Sequence, residues 1–211
     1  MRNKKTGIAI IEDHPVMREG LAAWFAGTGR WQVKGKASSL AGAKKLLTRP
    51  GFQTDLVLLD IQLEDGWGLD IIPWYMEHIQ IAQQDPYPPV PLMAVYTVFD
   101  DYAHVNAALS MGVRAYICKR RNEREIEEVL LKTLGGGIYV DDTAETKLKN
   151  VTDLFSLLTK RETEILSLVK RGFSNKQIAA CLGISRRTVE NILSCVYDKT
   201  GIKSRLELER L

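Results

Sequence analysis

Cysteine is scarce in this chain: Cys118, Cys181 and Cys195 are the only three among 211 residues. They are odd in number and far apart, with no Cys-x-x-Cys pair, which indicates neither a disulfide framework nor a thiolate zinc site. Long apolar runs are missing too, and nothing approaches the roughly 20 residues that a membrane-spanning helix needs. The N-terminal MRNKKTG leads straight into a strand-like IAII instead of a leader's apolar core, so the expected location is the cytoplasm, with no membrane partner. Nor does one sign of charge dominate, since the formal net charge is +3. That balance hides a division. Residues 152–211 carry 11 Lys/Arg against 7 Asp/Glu, whereas residues 1–151 carry 18 against 19. A positive surplus confined to the C-terminal piece is a hint of nucleic-acid binding.

What is present is an alternation. Strand-like runs at 7–12 (GIAIIE), 31–37 (WQVKGKA), 55–60 (DLVLLD), 91–97 (PLMAVYT) and 115–119 (AYICK) are each followed by a helical pattern, such as REGLAAWFA, DYAHVNAALSMG and NEREIEEVLLKTL. Five such units predict a doubly wound α/β domain with a five-stranded parallel sheet over residues 1–134. QQDPYPPVP (83–91) has four prolines and reads as a stiff surface loop. GGG at 135–137 opens a polar stretch without a sustained apolar face, so 135–152 reads as a linker.

From 153 to 211 the pattern is wholly helical and predicts a small all-α, four-helix domain. Thr159-x-x-Glu162, Ser174-x-x-Gln177 and Ser204-x-x-Glu207 are capping boxes, and Gly172, Gly183 and Gly201 stand where helices should stop. Only LGIS, whose Ser185 caps the next helix, separates the second helix from the third. That is the tight turn of a helix-turn-helix pair.

The chemistry concentrates at strand ends. LVLLD, apolar on both faces, stops on Asp60, and GIAIIED stops on Glu12 and Asp13. If the first and third strands are neighbours, these carboxylates converge at the topological switch point of the sheet. Three acids repel one another unless a hard, oxygen-seeking cation such as Mg2+ compensates. The fourth strand ends in the hydroxyl of Thr97 and the fifth in the ammonium of Lys119. A carboxylate nucleophile, a metal, an ammonium and a hydroxyl together suit receipt of a phosphoryl group.

IIEDHP, LVLLDIQL, VYT and YICK resemble, in order, the signatures of the receiver domain of two-component response regulators. The resemblance implies a flavodoxin-like fold, with Asp60 as phosphoacceptor and Glu12, Asp13, Asp60 and the backbone carbonyl of Gln62 around Mg2+. It further implies that Lys119 pairs with the phosphoryl group and that Thr97 and Tyr116 act as switch residues. Two positions depart from the pattern. Arg120 follows Lys119 where many receivers have proline, which removes the basis for a cis peptide there. Val98 follows Thr97 where the family often has a smaller residue, and this β-branched side chain predicts slow spontaneous dephosphorylation.

In the third tail helix Val189, Ile192, Leu193, Val196 and Tyr197 share one face, while Arg187, Glu190, Asn191, Ser194 and Asp198 fall on the other. Such a helix can be held by its apolar side and enter the major groove with its polar side, and Arg186, Arg187, Lys199, Lys203 and Arg205 could neutralise phosphates. The whole string from Leu158 to Leu208 is similar to the LuxR/FixJ-type helix-turn-helix domain. Joined to a receiver, it resembles the NarL/FixJ subfamily of transcription factors. The resemblance implies Glu190, Asn191 and Ser194 as base readers, with Thr188, Lys199 and Lys203 near the DNA backbone. Glu190 and Ile192 stand where the family usually has Lys and His, and a glutamate accepts from cytosine but repels phosphate. The implied partners are a sensor histidine kinase, double-stranded DNA and, when phosphorylated, a second copy of the chain. The short last helix puts the tail contact between copies in question.

Rival readings fare worse. A haloacid-dehalogenase-type phosphatase needs a second aspartate two residues after the first, where Gln62 stands, so no turnover enzyme is expected. A calcium loop in DIQLEDG would need glycine and glutamate where Asp65 and Ile71 occur. The serious alternative is a constitutive DNA-binding regulator whose receiver is only a dimerisation scaffold.

Overall fold

The computed structural model describes residues 5–81, 90–202, 204, 205 and 208. Of the proline-rich stretch only Val90 and Pro91 are among them, so the surface-loop reading lies almost wholly outside the described residues. The chain divides into two compact units, Met1–Asp100 with His104–Asp142, and Asp101–Ala103 with Thr143–Leu211.

In the first unit β1 (Thr6–Ile11), β2 (Trp31–Ala37) and β3 (Leu56–Leu59) alternate with α1 (Pro15–Gly27) and α2 (Leu40–Leu47). After β3 comes a two-residue ribbon, β4 (Gln62–Leu63) paired antiparallel with β5 (Gly66–Trp67), then a 3-10 turn and α3 (Ile71–Ile81). β6 (Leu92–Thr97), α4 (Tyr102–Ser110), β7 (Ala115–Cys118), α5 (Glu123–Leu134) and β8 (Tyr139–Val140) complete the sheet. Its order is β2-β1-β3-β6-β7-β8, parallel throughout. β1 and β3 are neighbours, with Ile11 opposite Leu59, so the ends carrying Glu12 and Asp60 lie side by side. LVLL is buried on both faces, as helices covering each side of a parallel sheet require. Beneath α1 and α5, Phe25 meets Trp31 edge-on at 5.3 Å, and the Trp31 indole donates to Glu127 at 2.9 Å.

The sheet therefore has six strands and not five. Tyr139 and Val140 pair in parallel with Ala115 and Tyr116, and a 15-residue helix, α6 (Asp142–Ser156), follows directly. Two residues are too few for periodicity to register, so a polar stretch expected to be a linker holds an edge strand and a helix. Asp65, at the position where a calcium loop would need glycine, instead accepts from the backbone N–H of Leu40 and Ala41 at 2.5 and 2.9 Å. These bonds at the start of α2 hold its carboxyl below the usual range.

The second unit contains α6, α7 (Lys160–Lys170), α8 (Asn175–Leu182) and α9 (Arg186–Thr200). Capping boxes close on Thr159/Glu162 and on Ser174/Gln177, and Ser185 accepts from the Thr188 N–H. Gly183 and Gly201 end α8 and α9 at φ of 63° and 69°, a conformation that costs any residue with a Cβ. Ile165, Ile178, Val189, Val196 and Leu208 form its fully buried centre. Glu207, and with it the third capping box, lies outside the described residues. Among the described residues no helix is long and apolar enough to cross a membrane.

Candidate functional site

Each strand ends where the sheet stops and the connecting loop turns towards a helix, so side chains at those ends share one rim. Asp60 is held there by its backbone N–H donating to the Ile11 carbonyl at 2.9 Å, and the Lys119 N–H donates to the Thr97 carbonyl at 2.7 Å. The Lys119 ammonium lies between two acids, 2.6 Å from Asp60 Oδ2 and 2.7 Å from Glu12 Oε2. All three side chains are at least nine-tenths buried. Burial pushes the Glu12 carboxyl up, opposed mainly by the hydrogen bond from Lys119. Burial also works to lower the Lys119 ammonium, yet its hydrogen bonds to Asp60 and Glu12 more than offset this and leave it raised.

Two polar atoms in this rim are buried without a hydrogen-bond partner among the described residues: Asp60 Oδ1 and Thr97 Oγ1. Leaving such atoms unpaired is costly, and together they mark where another polar group fits. Asp13 is partly exposed and lies 2.9 Å from the His14 ring. Glu12, Asp13 and His14 each offer one ligand atom within 4.8 Å of the others, whereas Asp60 is engaged by Lys119 and stands outside that group. Gln62 is exposed in β4, two residues past Asp60. Tyr116 is fully buried, and its phenol donates to the Phe99 carbonyl at 3.0 Å. Val98 is 69% exposed.

Two supporting residues, and a third outside the site, escaped the sequence. Arg18 donates to the carbonyls of Glu12 and Asp13 at 2.9 and 3.2 Å, which orients the acidic turn from α1. Gly68 donates to the Ile61 carbonyl at 2.6 Å, and a Cβ there would lie 2.0 Å from the carbonyl oxygen of Asp60. Asp141, at the end of β8, is ion-paired to Arg120 and Arg121. For Gly68 the only available signal was a glycine closing the turn before a helix.

In the second unit α9 divides as expected. Val189, Leu193 and Val196 are buried, Ile192 and Tyr197 are half-buried, and Arg186, Arg187, Thr188, Glu190, Asn191 and Ser194 are exposed. Four of its expected DNA contacts already have protein partners. Glu190 accepts from Arg186 at 2.7 Å, one turn away, and Lys199 donates at 2.8 Å to Glu162, the buried acid of the α7 capping box. That bond, with those from Thr159, keeps the Glu162 carboxyl below its usual range. Thr188 is part of the Ser185 cap, its hydroxyl 2.8 Å from Ser185 Oγ. Lys203 lies outside the described residues.

Comparison with known proteins decides the family. The family described as response regulator receiver domain matches residues 8–131, and the luxR family of bacterial regulatory proteins matches residues 156–211. The chain belongs to the response regulators. With a receiver followed by a LuxR-type helix-turn-helix, this response regulator is a two-component transcription factor. It is 27% identical over 204 residues to the response regulator protein VraR of Staphylococcus aureus, an alignment spanning 95% of this chain and 92% of that protein. Its fold is that of RcsB from Salmonella enterica serovar Typhimurium, solved bound to a promoter in the presence of the phosphomimetic BeF3−. The TM-score is 0.67 at 19% identity, over 97% of this chain and 96% of that one. The response regulator ChrA of a haem-sensing two-component system is also similar, with a TM-score of 0.50 at 25% identity over 97% and 94% of the two chains.

Proposed function

We propose that Asp60 accepts a phosphoryl group from a sensor histidine kinase, and that this acyl phosphate controls binding of α9 to double-stranded DNA. The observation that carries the reading is the buried Glu12–Lys119–Asp60 contact, with Asp60 Oδ1 and Thr97 Oγ1 left unpartnered beside it. A carboxylate oxygen of Asp60 attacks phosphorus, the O–P bond forms as the P–N bond to the donor imidazole breaks, and the imidazole leaves with the electron pair. Lys119 then moves its ammonium to the phosphoryl oxygens, and the Thr97 hydroxyl gains the acceptor it lacks.

The donor set suits Mg2+, because Glu12, Asp13, Asp60 and the Gln62 carbonyl are all hard oxygens and one carboxylate oxygen is a buried orphan. When bound, Mg2+ neutralises phosphoryl charge that Lys119 alone cannot balance. The chain's own chemistry ends with phosphorylation and slow hydrolysis of Asp60, without turnover of a separate substrate. Rearrangement of Thr97 and Tyr116 shifts a receiver face towards homodimerisation, and two copies of α9 then read a two-fold DNA site. Glu190, Asn191 and Ser194 face the bases, while Arg186, Arg187, Thr188, Lys199 and Lys203 lie near the phosphates. A cytoplasmic location suits a chain that meets both a kinase and DNA.

The test is DNA affinity of the wild type and Asp60→Asn, each with and without a small-molecule phosphoryl donor. Wild-type affinity should rise by about tenfold or more, the scale of a coupling of 1–3 kcal/mol, and Asp60→Asn should not respond. Equal affinities would favour the constitutive regulator. Val98 bears on lifetime. Val98→Ala opens the phosphoryl group to water, and acyl-phosphate hydrolysis should quicken by up to about tenfold, or roughly 1.4 kcal/mol of barrier, as followed by phosphate-affinity electrophoresis.

A further inference from the structure

Asp141 is a buried carboxylate that phosphoryl transfer does not use. Its side chain is 1% exposed, and two consecutive guanidiniums hold it, Arg120 at 3.1 Å and Arg121 at 2.9 Å. Arg120 also lies 3.7 Å from Asp100, in the loop after β6, and Arg121 reaches Asp142 at 3.0 Å and Glu125 at 3.2 Å. The Asp141 N–H donates to the Tyr116 carbonyl at 2.9 Å, and the Tyr116 phenol donates to the Phe99 carbonyl. The geometry points to Arg120, Arg121 and Asp141 as positioning residues that pass the state of Asp60 to the segment leaving the receiver, a role that rests on Asp60 being the phosphoacceptor.

Two routes run from the phosphoacceptor to Asp141. Lys119, Arg120 and Arg121 are consecutive, so their side chains share two peptide units. A phosphoryl group adds about 1.5–2 negative charges and draws the Lys119 ammonium away from Glu12. The peptides between 119 and 121 reorient with it, and the two guanidiniums cannot both keep their fixed bonds to one carboxylate. The second route is the loop after β6. When the Thr97 hydroxyl turns to the phosphoryl group, residues 98–100 follow, which loosens Phe99 from Tyr116 and Asp100 from Arg120. A buried carboxylate that loses a cation is destabilised where it stands.

Asp141 closes the edge strand, Asp142 begins α6, and from Thr143 the chain belongs to the second unit. Releasing Asp141 therefore unpins the chain junction at which the first unit gives way to the second. Arg120, standing after Lys119 where many receivers have proline, and the Arg121 that follows it are what make this latch available.

Hydrogen–deuterium exchange of the full chain, with and without a small-molecule phosphoryl donor, tests the latch. In the wild type, exchange across 138–146 should accelerate on phosphorylation by about fivefold or more, the change expected from roughly 1 kcal/mol. Asp141→Asn should load phosphate to the wild-type extent yet exchange fast in both states, and Arg120→Gln, on a half-exposed side chain, should lose most of the response. Wild-type loading with unchanged exchange at 138–146 overturns the relay alone, as does a full wild-type response in both variants. Failure of the wild type to load phosphate overturns the phosphoacceptor reading and the relay with it.

Discussion

Replacing Lys119 with Met is expected to destabilise the receiver unit by about 3–5 kcal/mol, the usual cost of removing one partner from a buried ion pair. Lys119 is the cation that lets Glu12 and Asp60 sit in a place almost closed to water. A methionine fills much of the volume but leaves two buried carboxylates facing one gap with no positive charge between them. The chain can relieve this by protonating Glu12, whose carboxyl burial already pushes up. Raising a carboxyl's folded-state pKa above its unfolded value favours the folded state at low pH, so the stability of the variant should fall as pH rises above the unfolded value near 4.5. Urea denaturation at pH 5 and pH 8 reads this out, and millimolar Mg2+ should restore more stability to the variant than it adds to the wild type. A variant as stable as the wild type at pH 8 in chelator would sink the claim that Lys119 is what makes this acidic rim tolerable.

Gly68→Ala should also act strongly, by a different cause and mainly on chemistry. The new methyl carbon would meet the Asp60 carbonyl oxygen at 2.0 Å and the Ile61 oxygen at 3.2 Å, and backbone atoms cannot swing aside as a side-chain tip can. Either Gly68 or the turn after Asp60 must move, and the Gly68 bond to Ile61 is broken in both cases. Overpacking of this kind costs about 1–3 kcal/mol or more. The heavier loss should fall on chemistry, since displacing a reacting group by about 1 Å can slow a reaction roughly a hundredfold. Initial rates of phosphorylation by a small-molecule donor test it. Gly20→Ala is the control, because nothing lies within 4 Å of a Cβ built at that position of α1. Equal phosphorylation rates in the two variants would show that the close approach at Gly68 is not what holds Asp60 in place.

The acids, the hydroxyl and the ammonium were legible because each ends a strand whose apolar run is long enough to be seen, and because parallel order brings those ends to one rim. Glu12, Asp60 and Lys119 are accordingly found in contact. What stayed hidden depends on contacts between residues remote in sequence or on elements too short to carry a period. Tyr139–Val140 has two residues, and α6 shows few apolar positions in its first turns, where Ala144 is fully buried. Asp141 gains its meaning from residues remote in sequence, Arg120 and Arg121 some twenty positions earlier. Gly68 matters through a distance, not a pattern. In the second unit the spacing located the Thr159 and Ser174 capping boxes, the Ser185 cap and the buried face of α9, but it could not show that Lys199 is claimed by Glu162 or that Arg186 and Glu190 answer each other.

Those two ion pairs bear on how the regulator finds a target in a genome. A lysine that already has a counter-charge within its own fold releases little salt on meeting a phosphate, and an arginine leaning on a glutamate offers only part of its charge. On the proposed reading of α9 as the DNA-reading helix, these pairs weaken its grip on arbitrary duplex and leave more of the binding to base edges. A regulator built in this way loses fewer copies to bulk DNA than one whose basic side chains are all unpaired.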